Sequence, residues 1–87
     1  MCALVHNLKT WPDTLHSIII GDKLFELRYN DRDFHVGDVL CLQGWDPETE
    51  QYTGEETNVI VTYMYCAKEG DTWGLLPGYC AMAIRKI

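Results

Sequence analysis

The sequence predicts a mainly β domain with one principal helix, an α+β arrangement that forms a small closed or nearly closed β-barrel. Three observations carry this prediction. Five segments alternate or concentrate β-branched and aromatic residues, among which Thr57 to Cys66 is the clearest strand. Only one segment, Trp11 to Ile20, repeats its apolar residues with helical period. Short strands separated by Gly, Asp and Pro turns leave edges that aggregate unless the sheet closes on itself, so a barrel is expected.

Taken in order, Ala3 to Leu8 reads as a first strand. Thr10-Trp11-Pro12-Asp13 then has the chemistry of a helix start: Thr10 to cap, Pro12 in the first turn and Asp13 at the positive helix end. Trp11, Leu15, Ile18 and Ile19 form one apolar stripe, with Asp13, His16 and Ser17 toward water. Gly21 stops the helix and brings its last carbonyls toward Lys23. Lys23 to Tyr29 is the second strand. Its parity sets Phe25, Leu27 and Tyr29 on one face and Glu26 with Arg28 on the other, while Lys23 approaches from the turn. A polar turn, Asn30-Asp31-Arg32-Asp33, leads to a strand over Val39 to Trp45. Asp46 to Glu50 is a turn, Gly54 ends that connection, and Tyr79 to Ile87 is the last strand after a loop over Trp73 to Pro77.

The chain has 87 residues, which is read as a single domain over 1–87. A chain of this size buries roughly 60 to 65% of its unfolded surface, so it has one core. No apolar run approaches the ~18 residues that span a membrane, and there is no basic start with an apolar block, so a cytoplasmic protein without a membrane partner is expected. The net charge of -6 excludes a sequence-blind binder of duplex DNA, whose affinity comes from neutralising phosphates. The few basic residues gather instead: Lys9, Lys23, Arg28 and Arg32 are expected at one mouth, enough for one phosphate or a short single strand. Four cysteines at 2, 41, 66 and 80 lack metal-ligand spacing, and with His6, His16 and His35 equally unspaced the sequence implies no metal, no cofactor and no disulfide. Buried free thiols are the expectation.

Gly21-x-Lys23-x-x-Glu26-x-Arg28 matches the G-x-K-x-x-E-x-R signature, and the chain resembles the ASCH domain, a branch of the PUA-like barrels. Further elements extend the resemblance over nearly the whole length: His6-x-Leu8-Lys9, Asn30-Asp31-Arg32-x-Phe34-x-Val36-Gly37-Asp38, Trp45-Asp46-Pro47 and Tyr52-Thr53-Gly54. They are similar to a small bacterial and phage family within that group. The resemblance implies a PUA-like barrel whose cleft takes RNA or a modified nucleotide. It also implies a hydrolytic alternative, an amidohydrolase acting on acylated cytidine through a lysine, a threonine and a glutamate. Lys23 matches the lysine, but Glu26 stands where the threonine belongs.

The ligand-binding candidates are therefore Lys23, Glu26, Arg28, Asn30, Asp31, Arg32, His6 and Lys9, and the catalytic candidates are Lys23 and Glu26. Arg offers a planar fork for phosphate or a base edge, and Glu accepts from an amine or hydroxyl. From spacing alone, an ordinary salt-bridged strand face is the simpler reading; the resemblance reverses that order. Trp11, Trp45, Trp73 and Tyr79 are candidates for stacking on a base. Three functions follow: a binding module for RNA or nucleotide, a small hydrolase of modified nucleosides, or a phage or prophage interaction protein that binds no nucleic acid.

Overall fold

The computed structural model describes residues 4–71 and 74–87. Its elements run β1 (Val5–Thr10), α1 (Pro12–Ile19), β2 (Phe25–Tyr29), β3 (Val39–Asp46), β4 (Gln51–Cys66) and β5 (Tyr79–Lys86). All five strands belong to one sheet in the order β1-β3-β4-β5-β2. Only β1 and β3 run parallel. The crossover between them carries α1 and β2, which is the connection a parallel pair requires.

The curl of the sheet into a half-barrel comes from β4. Its 16 residues serve two partners, pairing with β3 from Gln51 to Ile60 and with β5 from Val59 to Cys66. Register shifts at Gln43/Trp45 and at Val61/Tyr63 sharpen the bend. The sheet curls into a half-barrel without closing its backbone ladder. β1 and β2 remain the two edges of the sheet, with no backbone ladder joining them among the described residues.

The core lies between α1 and the concave face. Leu15 and Ile18 of the helix pack with Leu8, Leu40, Leu42, Val59, Val61, Met82 and Ile84. Gly44 makes room for this packing, since a Cβ there would collide with Thr53 Oγ1 and press on Leu15. Phe34, brought in by the turn after β2, fills the other end.

Several boundaries differ from the sequence reading. β1 runs on to Thr10, whose hydroxyl bonds Leu8 O instead of capping the helix. Trp11 takes the N-cap position with no side-chain cap and lies 66% exposed, so the buried stripe of α1 is narrower than its sequence period implied. Gly21, at φ +88°, does end the helix, and Ser17 O accepts from both Asp22 N and Lys23 N. The charge that meets the final turn is Lys86, which donates to Ile19 O, whereas Lys23 turns elsewhere. Gly54 lies inside β4, which therefore begins well before Thr57.

The expectation of four free thiols is corrected. Cys66 and Cys80 are directly paired across β4 and β5, with Cα atoms 4.0 Å apart, and they form a disulfide. Spacing in sequence could not show this, because the strand register alone makes them neighbours. Cys41 is a buried free thiol. Cys2, the proposed strand start at Ala3 and the stacking candidate Trp73 lie outside the described residues.

Candidate functional site

Strand β2 turns its charged face inward. Glu26 is 3% exposed while Phe25, Leu27 and Tyr29 face outward and are about half exposed. A buried carboxylate needs compensating charge, since an isolated ion taken out of water loses several kcal/mol of solvation, of order. Lys23 Nζ donates to Oε1 at 2.9 Å and Arg28 Nε to Oε2 at 2.8 Å, so each oxygen has its own cation. The turn after Gly21 delivers Lys23 and the strand parity delivers Arg28, as the sequence indicated.

Arg28 does a second job. Its Nη2 donates to Lys9 O at 3.0 Å and to Thr10 Oγ1 at 3.4 Å, which ties β2 to the facing edge of β1. Arg32 Nη1 donates to Asn7 O at 3.0 Å, further along the same edge. Two guanidinium groups thus satisfy edge carbonyls that a closed barrel would have paired with backbone.

A cleft of about 300 Å³ opens where this seam meets the helix. Lys9, Lys23 and Arg28 are its cationic lining residues, Glu26 lies at its base, and Thr10, Trp11, Thr14, Phe25 and Leu27 complete the lining. Lys9 Nζ sits 3.8 Å from the centroid of the Trp45 ring, and Lys23 Nζ sits 4.7 Å from that of Phe25, both within cation–π range. Three positive groups and one neutralised carboxylate make this cleft cationic on a chain whose net charge is -6.

The remaining candidates do not join it. Arg32 is spent on the seam. Asn30 Oδ1 accepts from Phe34 N at 2.9 Å, which shapes the turn, and Asp31 is an exposed turn residue. His6 is buried on the core side of β1, where its Nε2 donates to Asp38 Oδ2 at 2.8 Å and its ring meets Phe34 edge-on. Burial by itself would raise the Asp38 carboxyl. Hydrogen bonds from His6, Leu4 N and His35 N more than offset this and hold it below the ordinary carboxylate value. Cys41 is pushed the other way, upward, by burial and then by the neighbouring Glu56 carboxylate, which keeps it a protonated, inert thiol.

Sequence reasoning missed Thr14 and Phe25 as lining residues and the His6–Asp38 pair. The parity of His6 with Leu8 was the available signal for the latter. Among the stacking candidates, Trp11 is at the cleft, Trp45 packs edge-on against Tyr52 with Lys9 above it, and Tyr79 packs edge-on against Tyr29 on the outer face.

Fold and site together define a curled β-sheet domain with one helix and a cationic cleft at its side-chain-sealed seam. Residues 5–84 match the family described as a domain of unknown function, DUF3850, and the chain belongs to that family. No curated protein matches the sequence.

Proposed function

We propose that this chain is an RNA- or nucleotide-binding module of the ASCH type, a PUA-like barrel in miniature, acting in the cytoplasm through the cleft between α1 and β2. The observation that carries the reading is the gathering of Lys9, Lys23 and Arg28 around one cleft of an otherwise acidic chain. Such a patch attracts an anion locally while the rest of the surface repels nucleic acid. Exposed Trp11 and half-exposed Phe25 at the lip offer faces on which an unpaired base stacks. About 300 Å³ matches a single nucleotide unit and not a duplex. The signature residues Lys23, Glu26 and Arg28 all border this cleft, which supports the resemblance on which the reading also rests.

Binding without turnover is favoured over hydrolysis by the state of Glu26. Both of its oxygens already accept charge-assisted bonds, so it orders two cations, and service as a base would compete with both ion pairs. In a reducing compartment the Cys66–Cys80 bond would open to two thiols, which the strand register keeps adjacent across β4 and β5.

A binding screen of nucleosides, mononucleotides and short single-stranded RNAs, repeated with N-acylated cytidine while product is monitored, tests the proposal. Saturable binding that weakens as salt rises, with a flatter salt slope in Arg28→Ala, is the expected result. Turnover lost in Lys23→Ala would replace the module with the hydrolase. Absence of all binding would leave an interaction protein, the reading that includes a phage or prophage role.

A further inference from the structure

The convex face of the sheet, opposite the face that α1 covers, carries rows of outward side chains on β2, β5 and β4. Strand pairing sets Phe25, Leu27 and Tyr29 of β2 directly beside Ala83, Ala81 and Tyr79 of β5. On the other side of the same two alanines stand Tyr63 and Tyr65 of β4. The β2 and β4 rows are therefore two ridges of large side chains, roughly 10 Å apart at twice the strand spacing, with the alanines as the floor of a groove between them. None of these positions is charged; Arg85 follows Ala83 at the open end of the groove. The ridges are exposed, Leu27 at 51%, Tyr29 at 55% and Tyr63 at 67%. They are also held in place. A Cβ on Gly78 would lie 2.7 Å from Tyr29 Cε1, so that ring rests on the glycine's backbone, and Tyr79 meets it edge-on at 5.4 Å. The Tyr65 hydroxyl donates to the Asp71 carboxylate.

We propose that a second copy of the chain docks on this face, giving a two-fold homodimer. The face is complementary to itself. A two-fold axis running along the strands, between β2 and β5, sets the β2 ridge of each copy over the alanine groove of the other. Phe25 then meets Ala83 and Leu27 meets Ala81, large against small, and each contact occurs twice. The area agrees with this occupant. Five large side chains of roughly 200 Å² each, about half exposed, leave about 500 Å² of mainly apolar surface here. A standard interface buries about 800 Å² per partner, of which about 65% is apolar in homodimers, so the two quantities match. Tyrosines that are already ordered lose little freedom on docking. An RNA strand stacked on the same rings would find no lysine or arginine in these rows for its phosphates. The inference is independent of nucleotide binding at the cationic cleft, although Phe25 borders both.

The test is sedimentation equilibrium of the whole chain across the micromolar range, with NMR spectra recorded on dilution. The mass should rise towards twice the 10.0 kDa of one chain, and dilution should shift Leu27, Ala81 and Ala83. Leu27→Asp places a charge in the contact twice and should weaken association by about tenfold or more. Ala81→Phe makes the face more apolar but fills the groove, so it should weaken association too, where unspecific hydrophobic clustering would strengthen. Neither position is in the buried core, and phenylalanine suits a strand, so both variants keep the fold. Tyr52→Ser removes an exposed aromatic at the far end of β4 and should leave association within twofold of the parent protein. A single-chain mass throughout, association undiminished in Leu27→Asp, or association strengthened by Ala81→Phe would each overturn the proposal. So would shifts at Tyr29 and Tyr63 that saturate with a short single-stranded RNA, which would make the face a stacking platform.

Discussion

Arg28 in β2 donates to the main-chain carbonyl of Lys9 in β1 at 3.0 Å while the same guanidinium holds the Glu26 carboxylate at 2.8 Å. One side chain therefore seals the open edge of the sheet and balances the buried charge beneath the cleft. This double use explains why an acidic domain keeps a cationic cluster here. The cluster is part of the architecture before it meets any ligand.

Coupling between Glu26 and Arg28 follows directly. A double-mutant cycle with Glu26→Gln and Arg28→Ala, read from urea midpoints, should give an interaction of about 1–3 kcal/mol. Glu26→Gln alone should cost about 1–3 kcal/mol, discounted from the fully buried case because both cations keep contact with water. Additive single effects would mean that the pair is no more than a solvated surface bridge.

Arg32 should behave differently. Its bond to Asn7 O is exposed, so Arg32→Ala should cost less than about 1 kcal/mol. The carbonyl it leaves is on a sheet edge, and edges of this kind invite pairing with another chain. Increased self-association on sedimentation, with nucleotide affinity nearly unchanged, is the expected outcome. A loss of affinity as large as that of Arg28→Ala would place Arg32 at the ligand.

The Cys66–Cys80 bond closes a loop with a sequence separation of 14. In the chain-entropy picture, a loop of that length stabilises by about 3 kcal/mol. Treatment with a phosphine reductant should lower the urea midpoint accordingly, and Cys66→Ser should reproduce the loss and be insensitive to reductant. Identical midpoints with and without reductant would show that the bond contributes nothing.

Asp38 sets an acid limit. The folded state holds its carboxyl below the ordinary 3.8, so the unfolded chain takes up the proton first as pH falls. Its contribution is therefore complete above that value and is lost as pH drops through the lower folded value. Urea midpoints measured across the acid range should fall more gently in Asp38→Asn than in the parent protein. Parallel curves would contradict the assignment.

Much of this was legible from residue order. Periodicity located α1 and the five strands, and the alternation in β2 put Glu26 and Arg28 on one face with Lys23 arriving from the turn. Alternation does not say which face is inner, and the charged one is, because the seam with β1 needs Arg28 and Arg28 needs Glu26. The same limit hid the role of Arg32, whose partner is a main-chain carbonyl in a distant strand. Register is a tertiary quantity, so the Cys66–Cys80 pairing was invisible as well. Gly54 misled for a related reason: a glycine in a long bent strand resembles one in a turn.

The most direct test of the central claim is a ¹⁵N-resolved NMR titration with a short single-stranded RNA at low salt, followed residue by residue. Saturable shifts confined to Lys9–Thr14 and Lys23–Arg28, including the Trp11 indole N–H, and reversed by added salt, are what the cationic cleft predicts. Saturating shifts elsewhere on the sheet, or none at all with the fold intact, would contradict it.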